Sequence, residues 1–193
     1  PDGRRYWFVP YYIFWQRWVR HIMGGIQPLG RAYLLTGEAK YARPAAVMMA
    51  KLASEYERFD YRTQGYHEGR FNVPGRISDR IWTTGDDTKI AQAYDAIWPV
   101  FDEGPELLAF LAEKGIEDPR RTIEQGMLAV MERDVLGGVD CVGNMGMHQR
   151  TACVLAIVIN NEEPDYAPTT ADMREWLMQG GGRVEDLLWN GFW

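Results

Sequence analysis

Cysteine and histidine are scarce in this sequence, and their scarcity excludes several kinds of site. The two cysteines, Cys141 and Cys153, provide neither a disulfide framework nor a metal-ligand spacing. The three histidines, His21, His67 and His148, lie far apart, and none belongs to a His-Glu-x-x-His or Cys-x-x-Cys motif. We therefore expect no metal site and no cofactor.

Longer patterns are missing as well. No segment approaches the roughly 20 continuous apolar residues of a membrane span, so no membrane partner is predicted. A phosphate-binding glycine loop, a Gly-x-Ser-x-Gly turn and a Rossmann fingerprint are all absent. The net charge of -6 argues against a nucleic-acid-binding protein. The oligomeric state is left open by the sequence.

Aromatic residues, in contrast, are plentiful. They make up 13% of the 193 residues and include 8 Trp. Trp and Tyr stack on sugar rings, and they also fill protein cores. The length suggests one domain. The chain starts at Pro1 without Met and ends on the apolar run "VEDLLWNGFW", so we expect a fragment of a larger protein.

Apolar residues recur at helical spacing along most of the chain, and strand alternation is absent. Proline at helix starts and glycine at helix ends mark several boundaries, including a break at Gly24-Gly25 and a C-cap at Gly37. The apolar stretch Ala152–Ile159 predicts a helix that is packed on both sides, as in two concentric layers of helices. The predicted helices are about 10–23, 28–36, 38–59, 86–101, 104–114, 119–135, 144–160 and 170–178, with a last one beginning near Arg183.

The first candidate site is "GNMGMHQR", at the start of the predicted helix 144–160. On a helix, Asn144 and His148 are one turn apart and share a face, with Gln149 beside them. An amide can hydrogen-bond a substrate carboxylate, and an imidazole can move a proton. The alternative interpretation is that Asn144 caps the helix and His148 belongs to the core.

Two further segments combine cationic and aromatic side chains. In "FWQRWVRHI", Trp15, Arg17 and His21 lie on adjoining faces of a predicted helix, which suits an anionic sugar or a solvated surface equally. The long segment 60–85 lacks helical period, and such loops are commonly functional. Its candidate ligand-binding residues are Arg76, Arg80 and Trp82.

Acidic residues offer a different chemistry. A pair of carboxylates can hydrolyse a glycosidic bond as acid and base, and Asp87 or Asp95 could serve in that way. Asp86 and Asp87 are also explained without catalysis, because acidic residues stabilise a helix N-terminus, here predicted at residue 86.

Three segments together resemble the heparinase II/III-like polysaccharide lyases. "AYLLTGEAKYARPAAVMMAKLASEY" is similar to a helical hairpin of that family with a Leu-Thr-Gly-(Asp/Glu)-x-x-Tyr-Ala signature. "GRISDRIWTTGDDTKIAQAYDAIWPVF" resembles the stretch that follows, and "GNMGMHQRTACVLAIVINNEE" resembles its Gly-Asn-x-Gly helix start. The three occur in the same order as in the family, between residues 32 and 163.

The resemblance implies an all-α fold, an incomplete (α/α) toroid of helical hairpins in two layers. Residues 1–193 would form part of one catalytic domain, and the family's C-terminal β-sandwich domain would be absent. The implied activity is β-elimination on a uronic-acid polysaccharide, with Asn144 matching the asparagine that neutralises the substrate carboxylate. Many relatives have His directly after that Asn, where this chain has Met145. The resemblance places the catalytic tyrosine beyond Trp193 and the protein in the periplasm or outside the cell.

Three functions are therefore distinguished. The first is a lyase for an anionic polysaccharide or oligosaccharide, with Asn144 and His148 as catalytic residues. Its substrate-binding residues would be Trp15, Arg17, His21, Arg76, Arg80, Trp82 and Gln149. The second is a glycoside hydrolase on the same scaffold using Asp87 or Asp95, and the third is a glycan-binding helical domain without catalysis.

Overall fold

The computed structural model of the chain describes residues 2–144, 146–162 and 168–182. The protein is 70% helical, and within the described residues no strand forms. Tyr6 and His67 make an isolated antiparallel bridge. The predicted all-α class is confirmed. The helices of the described ranges are all too short or too polar to cross a lipid bilayer.

Ten α-helices are described, with two π-helical segments and a short 3-10 turn at Tyr61–Thr63. The π-helical segments are Trp15–Met23, between α1 and α2, and Glu124–Leu128, between α7 and α8. The α-helices are α1 Phe8–Phe14, α2 Gly24–Thr36, α3 Ala39–Tyr56, α4 Arg80–Ile97, α5 Val100–Glu103, α6 Pro105–Glu113, α7 Pro119–Ile123, α8 Ala129–Gly137, α9 Met147–Ile159 and α10 Thr170–Met178. The predicted helix near Arg183 lies outside the described residues.

The predicted break at Gly24-Gly25 is wrong, because helical structure runs without interruption from α1 through the π-helical segment into α2. Glycine serves close packing here. A Cβ on Gly25 would lie 3.2 Å from the Met48 sulfur, and one on Gly30 would lie 3.5 Å from Ala93. The predicted C-cap is confirmed, since Gly37 has the left-handed conformation at φ 68°.

The predicted start of α4, at residue 86, is also wrong. Asp79 caps the helix by accepting hydrogen bonds from the backbone N–H groups of Ile81 and Trp82, so α4 begins six residues before the predicted start. Asp86 and Asp87 therefore lie in the second turn, and stabilisation of the helix N-terminus does not explain them.

Helix α9 departs from its prediction in two ways. It begins at Met147 and not at residue 144. Ala152 and Leu155 are fully buried, but Ile157 is 76% exposed and Cys153 lies on the same open side. The predicted packing on both sides is therefore not found in the described part of the chain.

The helices pack in neighbouring rows. Helix α4 lies between α2 and α9, and α10 packs on the other side of α9. Helix α3 packs against α2 and against the α7–α8 segment behind them. Their shared core is almost wholly apolar. Its largest fully buried side chains include Ile26, Met49, Leu52, Tyr56, Ile97, Met127, Met131 and Leu155.

Glu132 on α8 is an exception in this core. It is 1% exposed, and neither of its carboxyl oxygens has a hydrogen-bond partner among the described residues. Burial raises the pKa of Glu132 from 4.5 to about 8; the negative Asp172 adds to this shift, and Arg133 opposes it. The folded protein therefore keeps Glu132 neutral at pH 7.

This proton makes stability depend on pH. The unfolded chain releases it near pH 4.5 and the folded chain near pH 8, so the free energy of unfolding falls as pH rises between these values. From pH 5 to pH 7 we expect a loss of roughly 2 kcal/mol from this residue. Denaturant titrations of Glu132→Gln should lack that loss, with Glu113→Gln as the exposed control. Equal pH slopes for Glu132→Gln and the unchanged protein would contradict this.

Candidate functional site

The N-terminal ends of α4 and α9 lie side by side, and the two helices run parallel. The backbone N–H of Val142 donates to the carbonyl of Arg80 (3.1 Å). Further along, the Thr151 hydroxyl donates to the carbonyl of Thr84 (2.8 Å) and lies 3.2 Å from the Thr88 hydroxyl. Helix N-termini carry partial positive charge. The start of α4 is already capped by the Asp79 carboxylate, so the start of α9 is the part of this end that favours an anion.

Asn144 lies at this end, in the turn that leads into α9. Its carbonyl accepts a hydrogen bond from the N–H of Met147 (2.9 Å). Its side chain is exposed and makes no hydrogen bond to a described group. Gly146 occupies the cap position, with φ 85°. The amide is therefore free to bind a ligand, and the predicted one-turn spacing from His148 on a common helix is not formed.

Gly143 holds this turn against α4. A Cβ at Gly143 would lie 3.2 Å from Thr84 Cγ2 and 2.8 Å from Met147 Cβ. A side chain here would clash with Met147 and press against Thr84, so glycine lets the turn pack closely on both. The position of Asn144 at the mouth of the helix pair thus depends on the glycine that precedes it.

The side chains of His148 and Gln149 make contacts within the protein. His148 is 5% exposed, and its ring centroid is 6.1 Å from that of Trp176. The Gln149 amide accepts from the N–H of Gly146 (2.9 Å) and donates to the carbonyl of Gly181 (2.8 Å). It also lies 2.8 Å from His148 Nε2, and because the amide nitrogen is a donor, Nε2 is the acceptor. These contacts tie the start of α9 to the turn after α10.

Trp82 and Arg80, in the first turn of α4, are available to a ligand. The Trp82 side chain is 66% exposed. Arg80 is half-buried, and its guanidinium forms no ion pair with a described residue. The structure thus brings Arg80, Trp82 and Asn144 to one end of the α4–α9 pair.

Arg76 has a different environment from the one predicted. Its guanidinium binds both carboxylate oxygens of Asp134, at 2.6 and 2.7 Å. A third bond reaches the carbonyl of Glu57 (3.0 Å). The hydrogen bonds to Asp134 raise the pKa of Arg76 above its usual value. Because its donors are engaged inside the protein, Arg76 holds the loop 57–79 in place.

Trp15, Arg17 and His21 lie on the π-helical segment and are exposed. Trp15 is 38% exposed, and neither Arg17 nor His21 forms an ion pair with a described residue. The backbone bonds of a π-helix span i→i+5, so Arg17 and His21 remain about one turn apart. They form an exposed basic surface on this segment.

The carboxylates proposed for hydrolysis do not form a pair. Asp87 is 1% exposed and accepts a hydrogen bond from the Tyr56 hydroxyl (2.8 Å). Burial raises the pKa of Asp87 well above its usual value. Asp95 is exposed and lies eight residues further along α4, about 12 Å away at 1.5 Å per residue. The carboxyl groups of an inverting glycosidase are about 6.5–9.5 Å apart.

Lys89 was missed by sequence reasoning. Its side chain is 56% exposed and follows Trp82 by two turns of α4. The predicted helix began at residue 86, after Trp82, so the two residues were not placed on one helix.

Comparison with protein-family models, curated proteins and solved structures finds no match to this chain.

Proposed function

We propose that this chain contributes the carboxylate-binding part of a lyase that cleaves a uronic-acid-containing polysaccharide by β-elimination. The observation that carries the proposal is the free amide of Asn144 at the paired N-termini of α4 and α9. Helix N-termini and amide donors both favour a carboxylate. The sequence resemblance assigns the same role to this asparagine.

In β-elimination the C5 proton of the uronic acid leaves to a base, and the C5 electrons form the C4–C5 double bond. The bond from C4 to the glycosidic oxygen breaks, and that oxygen takes up a proton. Negative charge develops on the carboxylate as the C5 proton departs, and donors fixed in advance stabilise it. Asn144 supplies such a donor in this proposal.

His148 and Gln149 serve as positioning residues in this scheme. The burial of His148 and the three contacts of Gln149 hold the turn that carries Asn144. Arg80 and Trp82 would contact the sugar chain, and Arg17 and His21 would attract its distant anionic groups. The toroid arrangement and the periplasmic or extracellular location belong to the same proposal.

The test is the product formed by the natural full-length protein. Incubation with alginate, heparan sulfate and unsulfated glucuronic-acid polymers should give oligosaccharides with the ultraviolet absorbance of a C4–C5 double bond. Saturated reducing ends would show hydrolysis instead. Binding without any product would show a glycan-binding domain. Either outcome would contradict the proposal.

A further inference from the structure

Gly85 lies inside α4 without a packing reason in the described chain. Glycine is the least favourable residue after proline in a helix interior. Gly25 and Gly30 are explained by close contacts with Met48 and Ala93. A Cβ on Gly85, in contrast, would have no atom within 4 Å. The space above Gly85 is therefore open, so the helix backbone can be approached closely at this point.

The residues around Gly85 form one face of α4. Trp82, Asp86 and Lys89 follow at intervals of three and four residues, so they line the same side of the helix. Along this face, the exposed Trp82 indole precedes the backbone of Gly85, and the Asp86 carboxylate and the Lys89 ammonium group follow it. An open glycine between an exposed ring and polar groups is suited to a sugar ring that stacks on the indole.

A cavity of 240 Å³ adjoins this face on the side of α2. Asp86 and Lys89 line one wall, and Val19 and Met23 of the π-helical segment line another, next to Gln27. π-helical turns are frequent at functional sites. The cavity thus joins the α4 face to the segment that carries Trp15, Arg17 and His21.

The polar groups of the cavity suit hydroxyls better than anions. One oxygen of Asp86 accepts from the Ser78 hydroxyl (2.8 Å), and the other lies 3.6 Å from the Lys89 ammonium. The carboxylate retains acceptor capacity and the ammonium retains donors. The Gln27 amide forms no hydrogen bond with a described group. The charges of Asp86 and Lys89 cancel. Sugar hydroxyls can donate to the Asp86 carboxylate and accept from the Lys89 ammonium group.

We propose that this face and cavity form a subsite for one pyranose unit, bound through its hydroxyls and its ring face. Trp82 stacks on the ring, Gly85 allows it to reach the helix backbone, and Asp86, Lys89 and Gln27 bind its hydroxyls. The identity of the ligand as part of a uronic-acid chain rests on the proposed function. The subsite itself needs no elimination chemistry.

The experiment is titration calorimetry of the natural full-length protein and its variants with alginate and heparan-sulfate tetrasaccharides. Trp82→Ala and Asp86→Asn should each weaken binding of the preferred tetrasaccharide about tenfold, because they remove a stacking partner and a charged acceptor. Gly85→Leu should weaken it at least about tenfold by filling the approach. Since leucine favours a helix more than glycine does, this variant should melt at the same temperature as the unchanged chain or higher.

Glu113→Gln, on the exposed face of α6, is the matched control and should bind as the unchanged chain does. Binding that is unaffected by Gly85→Leu and Asp86→Asn would overturn the subsite, and so would a failure of both tetrasaccharides to bind. Weakened binding in these variants, with no elimination product from the full-length protein, would support the subsite and contradict the lyase. The two failures are therefore distinguishable.

Discussion

Replacing Arg76 by Ala is expected to lower the free energy of unfolding by about 3–5 kcal/mol, because it leaves a buried carboxylate without its partner. The side chains of Arg76 and Asp134 are only 17% and 9% exposed. Two short bonds join them in the bidentate geometry that arginine forms with a carboxylate. Removal of the guanidinium also releases the carbonyl of Glu57, at one end of the loop 57–79.

Denaturant titration at neutral pH measures this loss. Arg58→Ala is the matched control, since Arg58 binds Glu55 from a side chain that is 81% exposed and should cost less than about 1 kcal/mol. The double variant Arg76→Met with Asp134→Leu should recover much of the stability, because apolar residues can replace a buried ion pair. The assignment of Arg76 as a structural residue fails if Arg76→Ala costs no more than Arg58→Ala.

The Arg76 pair shows why the sequence predicted helices better than sites. Helices α3, α6 and α10 carry local signals that suffice. Proline opens α6, Thr169 caps α10 through a reciprocal bond with Asp172, and the apolar spacing of α3 marks its buried face. The partner of Arg76, in contrast, lies 58 positions away. A local pattern cannot show whether a loop arginine faces a ligand or a buried carboxylate.

The errors in the predicted helix boundaries occur at glycines and have a common cause. Gly24, Gly25 and Gly85 lie inside continuous helices although the sequence suggests breaks. The surroundings of the missing Cβ differ between these glycines. A Cβ on Gly25 would meet Met48, and one on Gly85 would point into open space. Both environments come from tertiary structure. The π-helical segment before Gly24 was likewise not predicted from the sequence.

The arrangement around Asn144 depends on tertiary structure. The pairing of segments 80–84 and 142–151 follows from the packing of α4 on α9, which spacing alone does not reveal. Asn144 and Trp82 are exposed at this pairing, while Gln149, two residues into α9, uses its amide within the protein. Residues that are close in sequence can thus have opposite roles, because the turn at Gly146 changes the direction in which their side chains point.

Exchange of Asn144 for Asp separates a catalytic role from a structural one. Asn and Asp suit a turn almost equally, and the exposed side chain at 144 makes no described hydrogen bond, so the free energy of unfolding should change by less than about 0.5 kcal/mol. The carboxylate cannot donate and repels the substrate's own carboxylate. We therefore expect elimination by the full-length protein to fall about 10²–10³-fold, the usual effect of losing one such donor.

Asn144→Ala should reduce elimination by a similar factor, and Asn72→Ala, which removes an exposed amide from the loop 57–79, should leave the rate unchanged. Rates are followed through the ultraviolet absorbance of the product double bond, and folding is checked by thermal melting of each variant. If Asn144→Asp retains the full rate, the amide does not bind the developing charge. In that case the helix N-terminus at Met147 would have to stabilise the carboxylate without a side-chain donor from position 144.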